Sequence, residues 1–171
     1  MLRILHQIFR TGIATEPLPE AVESEIRVVG RGLEGAIRKR FHGSLTIRQV
    51  DAGSCNGCEL EIHALGNPYY NIEGLGIKFV ASPRHADLLL VTGPVSKHMA
   101  IALKRTYDAT PEPRLVVAVG DCGCTGGIFG ESYASCGAVE NVVPVDLRIP
   151  GCPPTPLQLL QGILAAVRIR H

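Results

Sequence analysis

Residues 115–120 read LVVAVG, and residues 121–127 follow at once as DCGCTGG. Five consecutive apolar residues with no polar alternation have strand length, and a strand that reads this way is covered on both faces. Residues 88–91 (LLLV) repeat the pattern and close on Thr92-Gly93-Pro94. Working outward, residues 45–50 (LTIRQV) alternate as a strand should, residues 76–81 (GIKFVA) form another, and residues 142–149 supply a fifth, ending at Pro150-Gly151-Cys152-Pro153-Pro154. Between these strands lie helical patterns. One runs through Glu59, Leu60, Ile62, His63 and Leu65 and stops before Pro68. A second covers residues 96–107, with Met99, Leu103 and Tyr107 at a four-residue repeat. A third runs from Pro156 to about Arg168 and carries Leu157, Leu160, Ile163, Leu164 and Val167. Strands that alternate with helices predict an α/β fold with a parallel sheet covered on both faces.

The amino-terminal quarter is organised differently. Residues 20–41 are helix-like, with Val22, Ile26, Val29, Leu33 and Ile37 on one face, and Gly30 and Gly32 as places where the helix is open to interruption. The basic run Arg38-Lys39-Arg40 suits the negative end of that helix. Residues 15–19 (TEPLP) break it from the first segment. There Leu2, Leu5, Ile8 and Phe9 fall at helical spacing, with Arg3, Gln7 and Arg10 elsewhere around the wheel. This pattern describes a short amphipathic helix that lies on a membrane or docks on a partner, or an arm packed on its own domain.

The chain has 171 residues, 17 Lys+Arg against 16 Asp+Glu, a net charge of +1 and 46% hydrophobic residues. The length suits one domain. The charge argues against a dedicated nucleic-acid binder, which carries a basic excess. No uninterrupted apolar core with a cleavage site opens the chain, and no run approaches the roughly 18 residues of a membrane span. These features predict a cytosolic protein, where thiols stay reduced and clustered cysteines more often bind metal than form disulfides.

Six cysteines then need an explanation. Cys55 and Cys58 follow the LTIRQV strand, Cys122 and Cys124 follow LVVAVG, and Cys152 follows the fifth strand. In an open parallel sheet, sites form outside the carboxyl ends of the strands, so three separate cysteine segments converge on one rim. A structural zinc site usually takes two two-cysteine knuckles, and only one C-x-x-C is present. An iron–sulfur cluster accepts a C-x-x-C plus scattered single thiolates, with a ligand cysteine followed by proline, as in Cys152-Pro153. A thioredoxin-like dithiol would leave the other two cysteine loops without a role. The cluster is the preferred reading; zinc and dithiol chemistry are the alternatives.

Four segments stand in a familiar order: Gly53-Ser54-Cys55-Asn56-Gly57-Cys58-Glu59-Leu60-Glu61, Ala81-Ser82-Pro83-Arg84-His85-Ala86-Asp87-Leu88, Gly120-Asp121-Cys122 with Gly126-Gly127, and Val143-Pro144-Val145-Asp146 with Pro150-Gly151-Cys152-Pro153-Pro154. The chain resembles the 20-kDa (B) subunit family of NADH–quinone oxidoreductase. It is still more similar to the small subunits of membrane-bound, energy-converting nickel–iron hydrogenases of the formate hydrogenlyase and hydrogenase-four type. The likeness spans about residues 45–168.

That resemblance implies a flavodoxin-like open parallel sheet carrying one 4Fe–4S cluster, packed against a large catalytic subunit. Carried over by position, the ligands are Cys55, Cys58, Cys122 and Cys152. Complex I subunits use two adjacent cysteines for the first pair, whereas Gly57 precedes Cys58 here, so the spacing favours the hydrogenase branch. Cys124 and Cys136 match no ligand position. Glu61 matches an acidic position of both branches: either a proton relay near the cluster, or a helix-surface carboxylate paired with Arg84. Arg84 and His85 follow a strand at the same rim, where they would offset cluster charge or dock a partner; a solvated loop is the alternative. His63 and His98 are read as structural or interface residues.

The implied assembly is peripheral, on the cytoplasmic face of the inner (plasma) membrane. Its other members would be the large nickel–iron-type subunit, a ferredoxin-like polyferredoxin and integral-membrane subunits, with no nucleic acid. Residues 1–44 would form a partner- or membrane-facing arm and helix, and residues 45–171 the iron–sulfur-binding domain. No substrate pocket or acid–base pair is apparent, so the chain reads as a non-catalytic subunit of an oxidoreductase. A complex I-type subunit whose cluster reduces quinone and a zinc-stabilised interaction module are the competing functions.

Overall fold

The computed structural model describes residues 2–12 and 20–169, with the side chains of residues 20–24 not described. The TEPLP break and the Val22 side chain therefore lie outside the described residues. The elements in chain order are α1 (Leu2–Thr11), α2 (Glu20–Phe41), β1 (Leu45–Asp51), α3 (Gly57–Ala64), β2 (Ile77–Phe79), β3 (Leu88–Thr92), α4 (Lys97–Ala109), β4 (Leu115–Val119), α5 (Gly120–Thr125), β5 (Leu147–Ile149) and α6 (Pro156–Arg168). The strands form one five-stranded sheet in the order β2-β1-β3-β4-β5. Every pairing is parallel, with Ile47 opposite Leu88, Leu88 opposite Leu115 and Val117 opposite Leu147. The α/β open parallel sheet expected from the sequence is the fold observed.

All five residues of β3 and of β4 are buried, and the two-residue period of a strand divides them between two cores. Leu88, Leu90, Leu115 and Val117 face a core completed by Leu33 and Ile37 of α2, Ile62 of α3 and Leu159, Leu160 and Ile163 of α6. Leu89, Val91, Val116 and Ala118 face the other, completed by Leu103 of α4 and Cys124 of α5. Helices thus cover both faces.

Gly30 and Gly32 do not interrupt α2. They are where the helix comes closest to its neighbours: a Cβ on Gly30 would sit 3.2 Å from Leu75, and one on Gly32 would sit 3.3 Å from Leu164 of α6. Arg40, from the basic run, donates to the carbonyls of Val167 (2.9 Å) and Ile169, so it satisfies the carboxyl end of α6. α6 itself starts on a capping box formed by Thr155 and Gln158.

Two strands are shorter than the sequence suggests. β2 spans only Ile77–Phe79, because it is an edge strand and Pro83 starts a 3-10 turn soon after it. β5 spans only Leu147–Ile149, preceded by a 3-10 turn at Val139–Asn141. Pro144 lacks a ladder N–H, and Asp146 replaces the missing strand pairing. Its N–H donates to Val116 O (2.9 Å), and its carboxylate accepts from Val116 N–H (2.7 Å). No helix among the described residues is long and apolar enough to cross a membrane.

Candidate functional site

Three loops leave the carboxyl ends of β1, β4 and β5. The β1 loop is shaped by Asp51, whose Oδ1 accepts from the N–H groups of Gly53 (2.9 Å) and Ser54 (2.8 Å). Ser54 Oγ in turn accepts from Asn56 N–H at 3.0 Å. Asn56 takes the left-handed conformation and opens α3, which places Cys55 just before the helix and Cys58 in its first turn. The β4 and β5 loops are tied reciprocally: Asp121 N–H donates to Gly151 O (2.9 Å), and Gly151 N–H donates to Asp121 Oδ1 (2.8 Å). Cys122 sits in α5, directly beyond β4, and Cys152 directly after Gly151.

Glycines let these loops meet. Gly120 has φ +79°, and a Cβ there would lie 2.6 Å from Cys58 Sγ and 3.4 Å from Gly151 O. Backbone of the β4 loop therefore presses against a thiol of the β1 loop and a carbonyl of the β5 loop at one residue. Gly127 has φ +55°, and its Cβ would lie 2.8 Å from Cys122 Sγ. A Cβ on Gly57 would meet Cys55 Sγ at 3.6 Å and Pro153 at 3.9 Å. Any side chain at Gly120 or Gly127 would fill the space around the sulfurs.

The four thiols feel one another. Burial pushes the Cys58 thiol up to about 12, with Glu59, Cys122, Cys55 and Cys152 adding to the shift in that order. Burial also raises Cys122, followed by Cys152, Cys55 and Asp121. Cys55 and Cys152 are exposed, whereas Cys58 and Cys122 are half-buried. Among the described residues, no three His, Cys, Asp or Glu side chains converge on one point as ligands of a single ion would. Four soft thiol donors on loops that meet at one rim suit an iron–sulfur group by their chemistry. Cys124 is buried at the second core, where its thiol faces Ala118 O at 3.6 Å. Cys136 is half-buried and packs against the same core.

The carboxylate built into this site is one that the sequence pattern does not single out. Glu59 is only 4% exposed. It accepts hydrogen bonds from Ser54 Oγ on one oxygen and from Thr92 Oγ1, at the end of β3, on the other. The signal that could have found it is an acid beside a ligand-type cysteine, with hydroxyl residues at two neighbouring strand ends. Glu61 is half-buried on α3, and its charge raises the Tyr70 hydroxyl, after burial and Tyr69. No ion pair joins Glu61 to Arg84 among the described residues.

Arg84 and His85 occupy an exposed 3-10 turn tied to Thr46, whose Oγ1 donates to His85 O at 2.5 Å. That is the amino end of β1, so these residues do not share the cysteine rim. The connection from β2 to β3 has no α-helix and must return the chain to the amino end within residues 80–87. His63 and His98 are exposed. His63 lines a cleft of about 660 Å³ together with Arg48, Asp51 and Phe79, beside the thiol rim but containing no cysteine.

An open-sheet α/β domain with thiol-bearing loops gathered at its carboxyl rim is the class that this fold and site define. Residues 55–166 match the family described as NADH ubiquinone oxidoreductase, 20 Kd subunit, and the chain belongs to that family. It is 41% identical over 151 residues to formate hydrogenlyase subunit 7 of Escherichia coli (strain K12), covering 88% of this chain and 58% of that protein. The chain thus spans little more than half the length of that relative.

A "Probable membrane-bound hydrogenase subunit mbhJ" of Pyrococcus furiosus is 46% identical over 118 residues, 69% of this chain and 71% of that one. The B-type NADH-quinone oxidoreductase subunit of Desulfovibrio desulfuricans is 49% identical over 107 residues, 63% of this chain and 58% of that protein. Among solved structures, a chain of the archaeal membrane-bound sulfane sulfur reductase superposes with a TM-score of 0.65 at 34% identity, covering 80% of this chain and 73% of that chain. A chain of an NAD+-reducing [NiFe]-hydrogenase superposes with a TM-score of 0.57 at 20% identity, covering 75% of this chain and 94% of that chain, a likeness of fold alone.

Proposed function

We propose that this chain is the electron-transfer small subunit of a membrane-associated hydrogenase-type complex, holding one 4Fe–4S cluster through Cys55, Cys58, Cys122 and Cys152. The observation that carries this reading is the convergence of four mutually interacting thiols from three strand-end loops, with the Gly120 and Gly127 backbones against two of the sulfurs. When bound, the cluster supplies a one-electron donor and acceptor between a ferredoxin-like cluster chain and a large catalytic subunit.

The chain's own residues do the rest. The four cysteines would bind as thiolates, so loading the site releases protons, among them those that burial holds on Cys58 and Cys122. Asp121 holds the Cys122 and Cys152 loops in register. Glu59 fixes the loop that bears Cys55 by gripping Ser54 and Thr92. Glu61, half-buried on the helix that carries Cys58, is the candidate for moving a proton near the site.

The Cys55-x-x-Cys58 spacing supports the hydrogenase branch over a quinone-reducing one, and the relatives named for formate hydrogenlyase and membrane-bound hydrogenase accord with it. Those names also support membership of a membrane-bound complex; we further propose peripheral attachment at the cytoplasmic face, with a large nickel–iron-type subunit, a polyferredoxin and integral-membrane subunits as partners. The test is electron paramagnetic resonance and metal analysis of the anaerobically purified complex. The expected result is a cubane-type signal that disappears with Cys122→Ser, and about four irons per chain for this site. Zinc in place of iron, or an unchanged signal in that variant, would sink the reading.

A further inference from the structure

Among the described residues, the first helix takes no part in either core or in the thiol rim. α1 buries none of its residues. Leu2, Ile8 and Phe9 are 85%, 59% and 86% exposed, and Ile4 and Leu5 are exposed too. At about 100° per residue, these five apolar side chains fall within an arc of roughly 160°, and His6, Arg10, Arg3, Gln7 and Thr11 fall within the opposite arc of roughly 140°. His6, Arg10 and Arg3 lie together along one edge of the polar face. The helix carries no carboxylate.

We infer that α1 lies in the headgroup region of an anionic lipid surface, apolar face down, and anchors the domain there. The inference rests on the membrane-associated reading above. Charge complementarity selects the occupant: a helix with two arginines, a histidine and no acid matches a surface of one negative sign, which attracts each nearby cation. Geometry agrees. Ten residues make a helix about 15 Å long, half the thickness of a bilayer core, so α1 suits the interface plane and not a span. Complete separation of apolar from polar residues is the pattern of a helix lying at such a boundary.

The experiment uses the full chain with a carboxyl-terminal solubility tag, in flotation with vesicles of phosphatidylglycerol plus phosphatidylcholine or of phosphatidylcholine alone. The chain is expected to float with the anionic vesicles and only weakly with the neutral ones. Arg3→Gln with Arg10→Gln should weaken binding by about fivefold per arginine. Ile8→Glu with Phe9→Glu should reduce it by at least about tenfold. Because α1 buries nothing, neither pair should move the melting temperature.

Equal flotation with both vesicle types would overturn the inference, as would binding that survives Ile8→Glu with Phe9→Glu. A melting temperature lowered by that pair would overturn it too, because α1 would then be packed on the domain. Vesicle binding that persists when metal analysis of the anaerobically purified complex finds no iron at this site leaves this inference standing and removes the functional reading. A cluster-bearing chain that ignores anionic vesicles does the reverse.

Discussion

Gly120 is the residue at which the three cysteine loops touch, so Gly120→Ala is a sharp test of the site. The new Cβ would sit 2.6 Å from Cys58 Sγ and 3.4 Å from Gly151 O, on a backbone at φ +79°. An L-residue with positive φ costs about 1–2 kcal/mol before any contact is counted. The sulfur lies well inside ordinary contact distance, so α3 or the β4 loop must shift, and overpacking of this kind costs about 1–3 kcal/mol more. The sum, about 2–5 kcal/mol, lowers the melting temperature of a chain this size by roughly 4–20 °C.

Gly35→Ala is the matched control. Gly35 lies inside α2 with nothing within 4 Å of its would-be Cβ. There the same change should stabilise by about 1 kcal/mol through helix propensity. Calorimetry of the cluster-free chain reads the stability, and electron paramagnetic resonance of the complex reads the cluster. Gly120→Ala is expected to melt lower and to lose or broaden the cluster signal. A Gly120→Ala chain that melts with the parent and keeps the parent spectrum would refute the argument that this backbone position packs against the thiols.

Three further outcomes are expected. Glu59→Ala should destabilise the chain by about 3 kcal/mol, since it removes the acceptor of two hydroxyl hydrogen bonds at a buried carboxylate. Glu59→Gln should cost less, because Thr92 Oγ1 can accept from the amide while donating to Val50 O; denaturant melts measure both. In the cluster-free chain, the neutral thiol of Cys58 is favoured up to about 12. Its alkylation by iodoacetamide, followed by mass spectrometry, should therefore keep rising about tenfold per pH unit above pH 9, where an ordinary thiol levels off. Glu59→Gln should shift that rise to lower pH, because Glu59 follows burial among its causes. Finally, Cys124→Ala should leave the cluster signal unchanged and cost about 1 kcal/mol of stability, since Cys124 is core to the face opposite α6.

The parts of this molecule legible in its sequence are those set by periodicity. Unbroken apolar runs marked β3 and β4 as doubly covered, and cysteines placed just past strand ends marked the rim. Less legible were features in which side chains replace backbone. Asp146 performs the pairing that residues 142–146 were expected to make as strand, and no period records a carboxylate bonded to Val116 N–H. Arg40 reads as a helix-end charge on α2, yet it serves the carboxyl end of α6, a partner 127 residues away.

The same limit explains the choice between Glu59 and Glu61. A pattern match singles out Glu61, but the three-dimensional path of β3 brings Thr92 to Glu59, making Glu59 the acid locked into the thiol loop. On the proposed function, the structural and proton-moving duties fall on two different acids of one helix turn. Glu59 is held on both oxygens and buried, so its geometry is fixed. Among the described residues Glu61 makes no such bonds, and it stays half-exposed near Tyr70. Substituting Glu59 should therefore move stability and loop order first, whereas substituting Glu61 should spare the melt and change only proton-coupled turnover in the complex. A Glu61→Gln chain that melts well below the parent would reverse that assignment.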